Sequence, residues 1–119
     1  MNERPQDLKI RTKAYALRII RMYSKLAKPD TVAQVLGKQA LRSGTSVGAN
    51  YREASRARSK AEFTAKVGDS LKEIEETEYW IELLADSGCL APSKLLDLLD
   101  ETRQLIAIFT TINKKSKGL

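Results

Sequence analysis

The chain has 119 residues, 42% of them hydrophobic and 30% charged, and its 21 Lys and Arg exceed its 15 Asp and Glu by a net charge of +6. That length makes one domain with enough apolar residues for a core, and three prolines argue against a loop-rich or all-β fold. There is no histidine, which removes His-based triads, ordinary zinc sites and the Glu-x-x-His of di-iron bundles; no enzyme activity, metal or cofactor is expected.

Taken from the start, the stretch MNERPQDLKIRTK is too polar for a secretory signal. No apolar run approaches the ~18 residues of a membrane span. The single cysteine, Cys89, allows no internal disulfide and suits a reducing compartment. A cytoplasmic protein without membrane partners is the expectation.

The first predicted helix covers residues 8–28. Leu8, Thr12, Tyr15, Ile19, Met22 and Leu26 alternate steps of four and three, which is one helical face. Arg11, Arg18, Arg21, Lys25 and Lys28 form a basic ridge roughly opposite it. Pro29 ends the helix, because the residue before a proline avoids helical geometry, and Asp30 or Thr31 can cap the next.

The second predicted helix covers residues 31–58. Leu36, Ala40, Ser43, Val47, Asn50, Ala54 and Ala57 form a seam of mostly small side chains, which lets two helix backbones approach closely. Ser43-Gly44-Thr45-Ser46-Val47-Gly48 lies inside this pattern. Interior glycine costs roughly 1 kcal/mol relative to alanine, and hydroxyl residues bend helices. The helix is therefore expected to be kinked or broken near Ser43-Gly44. The glycines do not form a phosphate loop, since no strand precedes them and the Gly-Lys-Ser/Thr ending is missing. Arg52, Arg56 and Lys60 add a second basic row, with Arg58 beside it.

Ser59 and Glu62 have capping-box spacing at the start of the third helix. Phe63, Val67, Leu71, Ile74, Ile81 and Ala85 are its expected inward stripe, and Gly88 suits the position after its end. The carboxylates of Glu73, Glu75, Glu76 and Glu78 fan around the helix rather than converging on a cation. Glu78 falls in the apolar stripe and needs a partner, with Arg42, Arg52 or Asn50 the candidates. Tyr79, Trp80 and Leu83 turn away from the stripe, which marks a subunit contact more readily than a ligand groove. The fourth helix starts at Pro92 and runs through Leu95, Leu99, Thr102, Ile106 and Phe109 into a basic tail. Short breaks between four such helices give an all-α, antiparallel up-down-up-down four-helix bundle over residues 1–119.

Charge is unevenly divided. Residues 1–60 hold 14 Lys and Arg against 4 Asp and Glu, and residues 61–119 hold 7 against 11. Two functions fit this asymmetry. One is nucleic-acid binding through Arg11, Arg18, Arg21, Lys25, Lys28, Arg52, Arg56 and Lys60, since phosphates need several cations on rigid elements. The other is a protein-interaction scaffold whose basic faces meet acidic third helices of neighbouring copies.

Arg42-Ser43-Gly44-Thr45-Ser46-Val47-Gly48-Ala49-Asn50, then Glu53-Ala54, Leu71-Lys72-Glu73 and Glu76-Thr77-Glu78-Tyr79-Trp80 resemble the four-helix bundle family of 23S rRNA intervening-sequence proteins. Accessory proteins of diversity-generating retroelements are relatives of that family. The resemblance covers nearly the whole chain and is most specific over residues 40–88. It implies a ring-like homopentamer without catalytic residues. Among retroelement relatives it also implies basic surfaces that bind RNA or DNA and a reverse transcriptase.

Overall fold

The computed structural model describes residues 4–119, so the first three residues of the polar N-terminal stretch lie outside it. Four helices follow one another: α1 (Pro5–Ser24), α2 (Thr31–Ala54), α3 (Lys60–Asp86) and α4 (Pro92–Lys117). Short loops turn each helix back along its predecessor, giving an up-down-up-down bundle of 46 × 23 × 22 Å with no strand among the described residues. α1 packs on α2, α2 on α3 and α3 on α4, while the α1–α4 seam is the loosest of the four.

Local chemistry sets the helix ends. Pro5 and Pro92 occupy the first turns of α1 and α4, where a missing N–H costs nothing. The Asp30 carboxylate accepts from Ala33 N at 3.0 Å, and Ser59 Oγ accepts from Glu62 N at 3.0 Å. Glu62 then reaches back to Arg58 N at 3.1 Å, a capping box displaced by one residue. Gly88, at φ +81°, supplies the left-handed turn after α3. Two helices stop short of expectation, α1 at Ser24 rather than residue 28 and α2 at Ala54 rather than 58. In both cases the residues beyond the helix form the reversal itself; Leu26 N bonds Tyr23 O in one turn, and Ala57 N bonds Ala54 O in the other.

α2 is not broken near Ser43-Gly44; it runs uninterrupted from Thr31 to Ala54. The hydroxyls expected to disrupt it fold back onto the helix. Ser43, Thr45 and Ser46 donate to the carbonyls of Gln39, Leu41 and Arg42 at 3.0, 2.7 and 2.7 Å. The glycines lie against α1. A Cβ on Gly44 would stand 2.8 Å from Ile19 Cγ1, and one on Gly48 would stand 3.0 Å from Thr12 Oγ1. Their cost in helix propensity is offset by the close approach they permit.

The small seam is therefore real but divided between two neighbours. Gly37, Gly44 and Gly48 receive α1, while the Ser43 and Val47 side turns to α3. Leu36, Asn50 and Ala57 are only half-buried, and Ala33 and Tyr51 join the core instead. On α3 the buried line is Val67, Ser70, Ile74, Thr77, Ile81 and Leu84. Phe63, Leu71 and Ala85 pack at its edge. The α1 face is buried as its spacing predicts, and on α4 Ile106 is the one predicted position left half-buried.

Buried hydroxyls stitch the layers together. Thr77 Oγ1 lies 2.7 Å from Ser43 Oγ, Ser70 Oγ donates to Val47 O at 2.9 Å, and Tyr15 OH lies 2.7 Å from Thr102 Oγ1. Among the described residues no buried side-chain polar atom lacks a partner.

Candidate nucleic-acid interface

Basic side chains divide into clamped and unclamped groups, and the division follows the acids of α3 and α4. Arg42 on α2 bonds Glu73 and Glu76. Arg103 on α4 bonds Glu78 at 2.9 Å and Glu82 at 3.2 Å. The partner of Glu78 is thus Arg103, not Arg42, Arg52 or Asn50. The reason is that Thr77, not Glu78, occupies the buried register of α3, and Glu78 lies on the flank facing α4. These exposed arginines take part of the acidic run out of contention as a metal site, and no cluster of three metal-ligating side chains forms among the described residues.

Arg11 also leaves the basic ridge. Its guanidinium makes a two-pronged bond to Glu101, Nε to Oε2 at 2.8 Å and Nη2 to Oε1 at 2.7 Å, with Gln104 at 2.8 Å. The pair is mostly covered, with side chains 26% and 17% exposed. It ties α1 to α4 across the loosest seam and is committed to structure.

Arg18, Arg21 and Lys25 make no ion pair among the described residues, and they line a groove of about 610 Å³ between α1 and α4. Lys94, in the first turn of α4, joins them there. Sequence reasoning misses Lys94, since nothing in its spacing links it to α1. Met22, Leu95 and Leu98 form the floor, with Leu90 at one side; Asp97 is the only carboxylate in the lining. The ridge therefore lies beside the core face on the α4 flank rather than opposite it.

Arg52 lies on the other flank of α1, in a shallower recess with Lys9 and Lys13. Arg56 lies with Arg58 at the α2–α3 corner, among Glu53, Glu62 and Lys66. There Lys66 bonds Glu53 at 3.3 Å. Lys28 and Lys60 are exposed, one in the α1–α2 loop and one at the first position of α3, and line neither recess. The eight predicted cations thus do not form one surface.

The side of α1 opposite the core is apolar. Ile10 is 60% exposed, Leu17 41% and Ile20 44%, and Ala14 is exposed beside them. Their spacing of seven and three is a sequence signal in its own right, masked by the basic residues interleaved with it. On α3, Tyr79 is 55% exposed, as its outward reading requires. Trp80 and Leu83 are half-buried. Trp80 packs against the edge of the core, donates its Nε1–H to Glu76 at 3.1 Å and holds the Tyr79 ring at 5.3 Å.

No helix of the described residues is long and apolar enough to cross a membrane. The family model of 23S rRNA-intervening sequence proteins matches residues 6–111. No curated protein sequence matches the chain. Among solved structures, the chain is similar to a Bacteroides thetaiotaomicron protein described as one with unknown function from the S23 ribosomal protein family. The two are 35% identical with a TM-score of 0.85, over 92% of this chain and 97% of that one.

Proposed function

The chain belongs to the 23S rRNA-intervening sequence protein family, and on that premise we propose that it is a non-enzymatic homo-oligomer that binds nucleic-acid phosphates with little sequence preference. The observation that carries this reading is the division of its cations. Acids of α3 and α4 hold Arg11, Arg42 and Arg103, whereas Arg18, Arg21, Lys25 and Lys94 make no ion pair among the described residues and converge on one groove. Unpaired cations on rigid helices are what a phosphate backbone requires. Repetition around an oligomer lets weak sites act together. The exposed line Ile10, Leu17 and Ile20, with Tyr79 on α3, supports self-association, because a monomer has little reason to expose an ordered apolar face. Five copies is the number that the family resemblance implies.

The test is a titration with RNA and DNA over a range of salt concentrations. Affinity is expected to fall with salt, by a slope of about 0.9 per neutralised phosphate on duplex DNA. The pair Arg18→Glu and Arg21→Glu should lower both affinity and slope while circular dichroism stays helical. Absence of binding by the wild-type protein at low salt would leave the scaffold reading in its place.

A further inference from the structure

Resting on the phosphate-binding reading above, we infer that the groove between α1 and α4 seats a single strand of nucleic acid, its phosphates on Arg18, Arg21, Lys25 and Lys94 and an unstacked base against the apolar floor. Three observations on the groove converge on this occupant.

The first is its composition. Four cations stand around one recess with Asp97 as the only acid, and none of the four is neutralised by an ion pair among the described residues. Elsewhere on α3 and α4, Glu73, Glu76, Glu78, Glu82 and Glu101 are drawn into pairs with arginines away from this recess. A net positive recess with open cations selects an anion.

The second is its floor. Met22, Leu95 and Leu98 belong to the core, and Leu90 from the α3–α4 turn adds a half-buried apolar wall. Leu90 is the open part of this apolar lining, since Met22, Leu95 and Leu98 are only 6%, 1% and 5% exposed. Bases of a duplex are stacked inside and cannot reach it, whereas bases of a single strand can be splayed out onto apolar groups or guanidinium planes.

The third is its size and position. A volume of about 610 Å³ falls in the range that encloses a small organic moiety, roughly 300–1,000 Å³. The recess lies on the α1–α4 seam, the loosest of the four. Arg11 and Glu101 close the seam on one side of the recess, and the α3–α4 turn borders it on the other.

Lys94 provides the decisive variant, since it is exposed, makes no ion pair among the described residues and lines this groove. Labelled oligothymidylate and a blunt duplex of equal length are titrated against the intact oligomer and against Lys94→Glu and Lys94→Arg, with helicity checked for each. The strand is expected to bind more tightly than the duplex. Lys94→Glu should weaken strand binding about tenfold at low salt and lower its salt slope by roughly 0.7, the value for one phosphate neutralised on a single strand; Lys94→Arg should bind like wild type. A bromouracil-substituted strand should photocrosslink to the segment carrying Leu90 and Leu98. If strand and duplex bind equally, Lys94→Glu matches wild type, or the crosslink maps to the Arg52 recess, the groove assignment is overturned while phosphate binding stands. If neither probe binds the wild-type protein, the phosphate-binding reading fails and the groove assignment with it.

Discussion

At the scale of single residues, the smallest side chains decide the most. A Cβ on Gly44 would meet not the flexible end of a side chain but the branched stem of Ile19, with Cγ1 at 2.8 Å, Cγ2 at 3.1 Å and Cβ at 3.3 Å. Overpacking of this kind costs about 1–3 kcal/mol, and the gain in helix propensity from alanine offsets about 1 kcal/mol of it. Gly44→Ala should therefore destabilise the protein, by up to about 2 kcal/mol in urea denaturation. Gly68 also lies in a helix interior, but a Cβ there would meet only Asn113 Nδ2 at an ordinary 3.6 Å. Gly68→Ala should stabilise by about 0.5–1 kcal/mol, so the two variants should move in opposite directions. Tyr15 carries a different consequence. Burial pushes its phenol well above the ordinary range, against a smaller opposing effect of the Thr102 hydrogen bond. The folded state therefore favours the neutral phenol. Stability from this group is complete below the unfolded tyrosine pKa of about 10 and is lost as pH rises beyond it. Tyr51, also raised by burial, acts in the same direction. Tyr15→Phe should flatten the alkaline limb of stability against pH, measured by thermal melting, and leave the residual slope of Tyr51.

At the scale of helices, α1 and α4 are legible in the sequence because large apolar residues announce their faces at a period of 3.6. α2 is harder to read. Glycines carry no hydrophobic signal, so Gly37, Gly44 and Gly48 become visible as a packing face only with α1 set against them. On α3 the apolar spacing points toward Phe63, Leu71 and Ala85, whereas the true buried line includes Ser70 and Thr77, polar residues that are tolerated there through hydrogen bonds to α2. The candidate site is legible as residue types and not as an arrangement. Which arginine finds a carboxylate depends on the register of a neighbouring helix, which no spacing within one helix reveals; hence the sequence shows neither the clamp on Arg11 nor the place of Lys94. The starts of α2, α3 and α4 are read well, whereas α1 begins at Pro5, three residues before its expected start at Leu8; these starts bear on stability. Ser59 caps α3 through Glu62 N at 3.0 Å. Ser59→Ala should cost about 1 kcal/mol, seen as a lower denaturation midpoint with an unchanged slope.

At the scale of the whole molecule, the bundle presents one apolar line on its outer α1 surface, flanked on both sides by basic recesses. An interface along that line would bring the basic flanks of one copy near its neighbour. Acids must then lie opposite, or the bound polyanion must do so. Leu17→Lys places a charge in the middle of the line without touching the core, and sedimentation velocity should then show smaller species than wild type. Tyr79→Ala is the matching test on α3, because Tyr79 is exposed. Trp80→Ala should also shift assembly toward smaller species if the tryptophan anchors the interface. It should lower the melting temperature too, since Trp80 packs on the core. A wild-type monomer at micromolar concentration would contradict the proposed self-association.

The glycine face of α2 also has a genetic reading. Every base change in a glycine codon that yields another amino acid adds at least a Cβ, because no other residue lacks one. At codons 44 and 48 the added carbon would fall 2.8 and 3.0 Å from the nearest atom of α1. Neither codon offers a conservative missense change, while codon 68 accepts alanine freely. Codon 37 is restricted as well, because its added carbon would fall 2.3 Å from the flexible tip of Leu26 and 2.9 Å from the Tyr23 ring. A saturation library selected for folded protein should lose its diversity at codons 37, 44 and 48 and keep it at codon 68, writing the α1–α2 packing into the surviving genes.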